Sequence, residues 1–269
     1  MKKVILMVTV LFFIIGCGED NGKLRILLTD APPPQNVEHI YLTILGVGIR
    51  NADGDAITLQ SDYYTIDVVR LAGGYSTSLT YDYSTGSSFV EVEPGDYNSV
   101  LIAINDLNLV ETDSIQDTLL VPEGTPISYE LETDFTVSSS ELLTLIIDFD
   151  ATKSINWEST PYELIQVLRI YHSDEAGFLT GTVKKIAIDD TTELAAKFAV
   201  LEAVSTTDTL TALTDTAGRF SLSLPEDTYT ISAYVEGYAT DTTYEDVTIM
   251  RDSILEDYDF LLTEPPSFN

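Results

Sequence analysis

Two aspartates near the middle of the chain, Asp148 and Asp150, have a spacing that could support chemistry. Asp148 lies near the end of a predicted strand over residues 142–149 and Asp150 directly follows it, and residues two apart on a strand point to the same face. Asp30 also lies at the end of a predicted strand. Such carboxylates could bind a cation or act as a general acid and base. Strand-end carboxylates also cap turns or face water, so the pair is a candidate ligand site with no catalytic role assigned.

Tyrosines form a second candidate site. Tyr81 and Tyr83 are spaced to share one face of a predicted strand, and Trp157 lies elsewhere in the sequence. The neighbouring tyrosines are Tyr63, Tyr64 and Tyr75. Sugars stack on exposed aromatic rings, so Tyr81, Tyr83 and Trp157 could form a carbohydrate platform. Tyrosine is also favoured in strands generally, and a role in a core or at a sheet edge is the alternative.

Other polar residues resemble metal-binding sites less closely. Residues 51–55 with Asp62 superficially resemble an EF-hand calcium loop, but Ala56 stands where that loop requires glycine and no flanking helix is predicted. A hairpin turn explains the same residues. His39 and His172 lie in different segments, as surface or core histidines would. We therefore predict no metal, no cofactor and no catalytic residue.

Composition excludes several function classes. The chain has 269 residues, of which 44 are acidic and 13 basic, for a net charge of −31. This charge repels phosphates and excludes nucleic acid as a partner. One cysteine excludes an intrachain disulfide framework, and two histidines leave little room for a His-rich metal site or a Ser-His-Asp triad. These absences predict a protein that is not an enzyme.

Charge is also unevenly distributed along the chain. Between Leu71 and Thr152 there are fifteen acidic residues and no lysine or arginine. Unpaired buried carboxylates are costly, so most of these side chains should be solvated. The segment predicts either a soluble acidic face or a surface that collects divalent cations.

Residues 1–16 have the form of a secretion signal. Lys2 and Lys3 precede the apolar run 4–15, which as a helix would cover roughly 18 Å of a hydrocarbon core about 30 Å thick. Residues 14–17 resemble the bacterial lipobox, in which a small residue precedes a cysteine that is acylated and becomes the mature N-terminus. Cys17 is therefore the predicted lipid attachment site. The alternative is an ordinary signal peptide that contains a cysteine.

The residues after Cys17 indicate the membrane to which the lipidated protein would be sorted. Enterobacterial lipoproteins are retained at the inner membrane by an aspartate directly after the cysteine, and this chain has Gly18 there. The acidic pair Glu19 and Asp20 resembles surface-export signals of some Bacteroidota. We predict a lipid-anchored protein of the cell envelope at the outer membrane, on its periplasmic or surface face. Two or three acyl chains would provide stable anchoring.

From Leu24 onward the apolar residues recur with a period of two, most clearly over residues 127–137, and glycine and proline turns separate the segments. Many short strands of this kind predict an all-β chain with two β-sandwich domains. In each domain a turn precedes a tyrosine that opens a strand, Tyr97 and Tyr229, and we interpret both as structural.

The predicted segments are a signal peptide at 1–16, a lipidated tether at 17–23, a β-sandwich at 24–172, a linker at 173–177, a second β-sandwich at 178–263 and a tail at 264–269.

Five strings in the first domain resemble the bacterial secreted family called domain of unknown function 4382. They occur in the family's order at residues 27–32, 67–71, 93–97, 121–124 and 147–155, and the resemblance covers roughly residues 22–172. It implies a secreted or lipoprotein β domain and brings no established activity.

The second domain resembles carboxypeptidase regulatory-like domains, which are small transthyretin-like sandwiches with a starch-binding-like topology. The matching residues are 181–183, 214–222, 224–225, 228–231 and 237–238, and Asp227 stands where the family usually has glycine. The resemblance implies a non-catalytic spacer or binding module, and some relatives bind carbohydrate.

Together these features predict a non-enzymatic, lipid-anchored envelope protein that presents a binding or adhesion surface to a polysaccharide or an envelope protein. The alternative is a carbohydrate-binding lipoprotein that acts through its second domain or its exposed tyrosines. A third hypothesis is a hydrolase that works through Asp148 and Asp150.

Overall fold

The computed structural model describes residues 20–31, 37–71, 75–112, 115–123, 128–165, 167–187, 191–239 and 241–265. In these ranges the chain is almost entirely β-structure, with one four-residue α-helix and two short 3-10 turns. The prediction of an all-β fold is confirmed. The predicted signal peptide and Cys17 lie outside the described residues.

The first β unit comprises strands β1 to β14 and helix α1. Its strands are β1 Gly22–Ala31, β2 Val37–Asn51, β3 Ala56–Gln60, β4 Tyr64–Asp67, β5 Thr77–Ser78, β6 Val90–Val92, β7 Gly95–Ile104, β8 Leu107–Thr112, β9 Ile115–Leu120, β10 Ser128–Val137, β11 Leu142–Asp150, β12 Ile155–Asn156, β13 Tyr162–Leu164 and β14 Leu168–His172. Helix α1 is Ala151–Ser154, and a 3-10 turn is Val68–Leu71.

Two sheets form this unit. The first has the order β14-β11-β1-β5, with β6 also paired to β1, and β1 runs parallel to β11. The second has the order β10-β7-β2-β8-β9-β13-β12, with β3 and β4 also paired to β2. One continuous apolar cluster, which includes Leu24, Ile26, Ile40, Ile102 and Phe149, fills the space between the sheets. The unit is therefore a β-sandwich, because side chains alternate between faces and each sheet contributes one apolar face to this core.

The second β unit comprises strands β15 to β23. They are β15 Ala176–Ile186, β16 Leu194–Ala195, β17 Val200–Val204, β18 Thr209–Leu213, β19 Arg219–Pro225, β20 Asp227–Tyr234, β21 Asp241–Ile249, β22 Ile254–Leu255 and β23 Phe260–Thr263. One sheet is built on β15, which pairs with β16, β19, β22 and β23, and the other has the order β18-β17-β20-β21. A second apolar cluster, which includes Leu179, Phe220 and Phe260, lies between these sheets.

The connection between the units is short. β14 ends at His172, a 3-10 turn covers Ser173–Glu175, and β15 begins at Ala176. The predicted linker 173–177 therefore falls on this turn and the first two residues of β15. Because β14 pairs with β11 in the first sheet, the second unit begins beside the strand that carries Asp148 and Asp150.

Both strand-opening tyrosines are structural. The Tyr97 hydroxyl donates to the carbonyl oxygen of Glu93 at 2.7 Å, and the Tyr229 hydroxyl donates to that of Pro225 at 3.0 Å. Both rings are buried in their respective cores. Each tyrosine thereby anchors the turn that precedes its strand.

Candidate functional site

Asp148 and Asp150 share the outer face of β11, as their spacing predicts. Leu145, Ile147 and Phe149 alternate with them and point into the core. The outer face is nevertheless covered, because Asp148 is only 6% exposed and Asp150 only 1%. Neither carboxylate faces water, so turn capping is what remains of the expectation that strand-end carboxylates cap turns or face water.

The second unit covers these carboxylates through an ion-pair cluster. Arg169 on β14 is the register partner of Asp148 on β11, and its Nη1 lies 3.9 Å from Asp148 Oδ2. The same guanidinium reaches into the second unit, where Nη2 lies 2.7 Å from Asp208 Oδ1 and Nη1 donates to the carbonyl oxygen of Thr209 at 3.1 Å. One arginine therefore joins the two units.

Asp150 has a structural partner as well. Its Oδ1 accepts a hydrogen bond from the backbone N–H of Lys153 at 3.1 Å, so Asp150 is the N-cap of α1. Its Oδ2 lies 2.9 Å from Lys153 Nζ, and this ammonium also donates to the carbonyl oxygen of Thr209 at 3.0 Å. The turn-capping interpretation holds for Asp150, and Lys153 adds a second cationic link between the units.

The surroundings raise the pKa of Asp148. Burial is the largest cause and raises the pKa from its usual 3.8 to about 6, while the positive charge of Arg169 partly opposes the shift. Burial also raises the pKa of the Tyr171 phenol well above its usual range. A carboxyl with a pKa near 6 has the acidity of a general acid, but such catalysis also requires contact with a substrate.

The cavity beside Asp148 is small. It lies between the units, has a volume of about 100 Å³, and its polar lining includes Asp148, Tyr171, Thr211 and Ser223. Ligand pockets usually measure about 300–1,000 Å³, whereas a single water needs roughly 10–15 Å³. This space holds a few water-sized molecules and cannot hold a sugar ring.

The tyrosine pair is placed differently from the prediction. Tyr81 and Tyr83 lie in the loop between β5 and β6, where Asp82 and Ser87 form an isolated β-bridge, and not on a strand. Their rings contact each other edge to face with centroids 4.8 Å apart. Tyr81 is 40% exposed and Tyr83 66% exposed, so the alternative of a core role is wrong for both.

Trp157 is not part of this pair. It follows β12, packs half-buried against the first core, and meets the ring of Tyr162 edge to face with centroids 5.3 Å apart. Its Nε1 is buried and has no hydrogen-bond partner among the described residues. Trp157 is therefore a packing residue in this fold.

The two histidines and the segment 51–55 have structural roles. His39 Nδ1 lies 2.6 Å from Asp67 Oδ2, and His172 Nε2 lies 3.1 Å from the carbonyl oxygen of Asp134. Residues 51–55 form the hairpin turn between β2 and β3, in which Asn51 Oδ1 accepts from the backbone N–H of Asp55. Within the described ranges no group of three or more His, Cys, Asp or Glu residues could hold a metal ion.

A comparison with protein families matches residues 21–165 to Domain of unknown function (DUF4382). The chain belongs to the DUF4382 family. The match covers the first β unit up to β13 and includes Asp148, Asp150 and the tyrosine loop. Arg169 and Asp208 lie beyond it, so the ion-pair cluster joins the DUF4382 domain to the unit that follows. A comparison with curated proteins finds no match.

Solved structures give distant similarities to the DUF4382 chain. GBS52, the minor pilin of Streptococcus agalactiae, aligns at 11% identity and a TM-score of 0.28 over 91% of this chain and 98% of that protein. The shaft pilin SpaA of Lactobacillus rhamnosus GG aligns at 11% identity and a TM-score of 0.24 over 92% and 100%. The Bacillus anthracis TIE protein aligns at 12% identity and a TM-score of 0.24 over 91% of this chain and 34% of that protein. TM-scores this low do not show a shared fold.

Sequence reasoning missed the cations that bind the DUF4382 domain to the second unit. A signal for them was present, because basic residues are scarce in this chain. Lys153 and Arg169 are the first two basic residues after an acidic stretch that has none. Lys153 comes three residues after Asp150, and Arg169 is the next basic residue along the chain, so their order could have identified them as partners.

The described residues contain no helix that is long and apolar enough to cross a membrane. The predicted acylation of Cys17 lies outside these residues and stays a prediction.

Proposed function

We propose that this chain is a non-enzymatic protein of the cell envelope, anchored through a lipid on Cys17, whose two β units present a binding surface. One observation carries the proposal. Asp148 and Asp150, which could have done acid–base chemistry, are covered by the second unit and paired with cations. The tyrosine pair Tyr81 and Tyr83 is instead open to solvent.

Burial argues against the hydrolase hypothesis on physical grounds. A general acid must come within hydrogen-bond distance of its substrate, and a substrate must fit beside it. The space next to Asp148 is about 100 Å³ and is bounded in part by residues of the second unit. Turnover of a glycoside or ester panel by the full chain, lost in Asp148→Asn, would contradict the proposal.

Lipid anchoring is tested by the Cys17→Ser variant. Cells that express the chain are labelled with a radioactive fatty acid, and extracts are partitioned between Triton X-114 and water. We expect label and detergent partitioning in the wild type and in the control Gly18→Ser, and loss of both in Cys17→Ser. Equal partitioning of Cys17→Ser and wild type would refute the anchor.

Carbohydrate binding through the tyrosine pair is the second candidate function. The two exposed rings meet edge to face with centroids 4.8 Å apart, and an exposed ring face is a surface on which a pyranose ring stacks. We expect insoluble polysaccharides to retain the full chain, and Tyr81→Ala and Tyr83→Ala to reduce retention. Tyr234→Ala is the matched control, because Tyr234 in the second unit is also 40% exposed. Equal retention of all three variants would rule out this platform.

We also propose that the second unit is a carboxypeptidase regulatory-like module that acts as a spacer or a second binding domain. Its two packed sheets and its turn Asp215–Gly218 support this assignment. The turn requires glycine, because Gly218 has φ +76° and a Cβ there would lie 2.5 Å from the carbonyl oxygen of Val183. Polysaccharide retention that survives both tyrosine substitutions would assign binding to this unit.

A further inference from the structure

Two strand edges are unpaired on the same side of the first sandwich. β10 ends the second sheet and pairs only with β7, and β14 ends the first sheet and pairs only with β11, among the residues described. The two edges are linked at one end, where His172 Nε2 lies 3.1 Å from the carbonyl oxygen of Asp134. Free edges of this kind expose backbone N–H and C=O groups that can pair with another strand.

An open groove of about 600 Å³ follows these edges away from that link. It is lined by the consecutive residues Glu130–Glu132 of β10 and Leu168–Tyr171 of β14. Consecutive residues on a strand point to opposite faces, so a groove that touches all of them runs along the strand edges. Asp208, Leu210 and Pro225 of the second unit form its third wall.

The lining combines apolar and acidic chemistry. Leu131, Leu168 and Ile170 are half-buried against the core and form an apolar floor. Glu130 and Glu132 are exposed at the rim. Arg169, the basic residue of the lining, is already paired with Asp208. The groove therefore offers apolar contacts and a negative rim to an incoming segment.

The rim also disfavours a second copy of this chain as the occupant. Glu130 is held by Arg50 at 2.6 Å, while Glu132 and Asp134 form no ion pair with any described residue. A second β10 would bring like charges against these carboxylates, and like charges directly opposite each other on paired strands are destabilising. Two chains that each carry a net charge of −31 repel each other as well.

We propose that this groove binds an extended segment of a basic partner protein, which adds as a strand to the free edge of β10. Apolar side chains of the segment contact the floor, and a lysine or arginine of the segment pairs with Glu132 at the rim. The segment Ser128–Glu132 provides about 17 Å of edge, enough for five residues of a partner strand. This site is separate from the tyrosine pair.

Hydrogen–deuterium exchange of the full chain tests the site. The probe is an octapeptide of alternating valine and lysine, and the matched control peptide carries glutamate in place of each lysine. We expect the lysine peptide to slow amide exchange at residues 128–132 and along the facing edge 168–171, and the glutamate peptide to leave exchange unchanged. Strand addition predicts this protection because the new backbone hydrogen bonds form at the edge.

Charge reversal at the rim gives a second readout. Glu132→Lys should weaken binding of the lysine peptide roughly fivefold, which is the range expected for exposed charge pairs. Glu141→Lys, an exposed acid outside the groove, should leave binding unchanged. Absence of protection at millimolar peptide, equal binding of both peptides, or protection confined to segments outside the two edges would overturn the proposal.

Discussion

Arg169 and Asp208 are joined by an ion pair of 2.7 Å that connects the first β unit to the second. The arginine side chain is 22% exposed, so this pair lies at the margin of the interface and is only partly solvated. Because the same guanidinium faces buried Asp148, the removal of Arg169 would leave two carboxylates at the interface without their cation.

Arg169→Met should therefore lower the free energy of unfolding by about 2 kcal/mol, between the values for fully buried and surface pairs. It should also speed protease cleavage at the connecting turn Ser173–Glu175, because a loosened interface exposes that turn. Denaturant unfolding and limited proteolysis measure the two effects. Arg251→Met is the control, since its partner Glu226 is 2.9 Å away but both are more than half exposed. If Arg251→Met proved as destabilising as Arg169→Met, the interface would have no special role.

The raised pKa of Asp148 predicts a pH dependence of stability. The folded protein binds the proton of the Asp148 carboxyl more tightly than the unfolded chain does, since burial raises the pKa from 3.8 to about 6. The stabilisation that comes from protonating Asp148 in the fold is therefore fully present below pH 3.8, and it is lost as the pH rises through 6.

The comparison with Asp148→Asn isolates this contribution, because the amide does not ionise. Between pH 4.5 and pH 7 the wild type should lose about 2 kcal/mol of unfolding free energy relative to the variant. Denaturant unfolding at the two pH values gives the difference. A difference that stays constant with pH would show that Asp148 titrates normally in the fold.

Asp150 should behave differently from its neighbour. Asp150→Ala removes the N-cap of α1 and the partner of Lys153, so we expect a loss of about 1 kcal/mol of unfolding free energy at neutral pH. Asp150→Asn keeps an oxygen that can accept from the Lys153 N–H and should recover most of that loss. Thermal unfolding of both variants at neutral pH distinguishes a cap from a purely ionic role. Equal losses in the two variants would assign the effect to charge alone.

The sequence predicted the strands well where one face is apolar and the other polar. β10 is the clearest case, since Phe135 and Val137 are buried and Glu130, Glu132 and Asp134 are exposed. A short strand such as β4, Tyr64–Asp67, has too few residues to show this period. The period of two specifies a strand, but the sequence pattern does not show which strands become edges.

The candidate site was predicted only in part, and for a physical reason. The spacing of Asp148 and Asp150 placed them correctly on one face of β11. The covering of that face by a second unit depends on long-range packing, which residue periodicity does not encode. Solvent exposure of Tyr81 and Tyr83 likewise depends on a loop outside regular strands, where the period carries no information.

The two strand-opening tyrosines give the last prediction. Tyr97→Phe and Tyr229→Phe each remove one hydrogen bond from a hydroxyl to a turn carbonyl and leave the buried ring in place. Each should cost about 1 kcal/mol of unfolding free energy, because the carbonyl of Glu93 or Pro225 loses its partner. The tyrosines lie in separate cores, so the double variant should show the sum of the two losses to within about 0.5 kcal/mol. Tyr234→Phe on an exposed ring should leave stability unchanged. Denaturant unfolding of the four variants checks this, and a double variant no weaker than either single one would show that the turns are not independent.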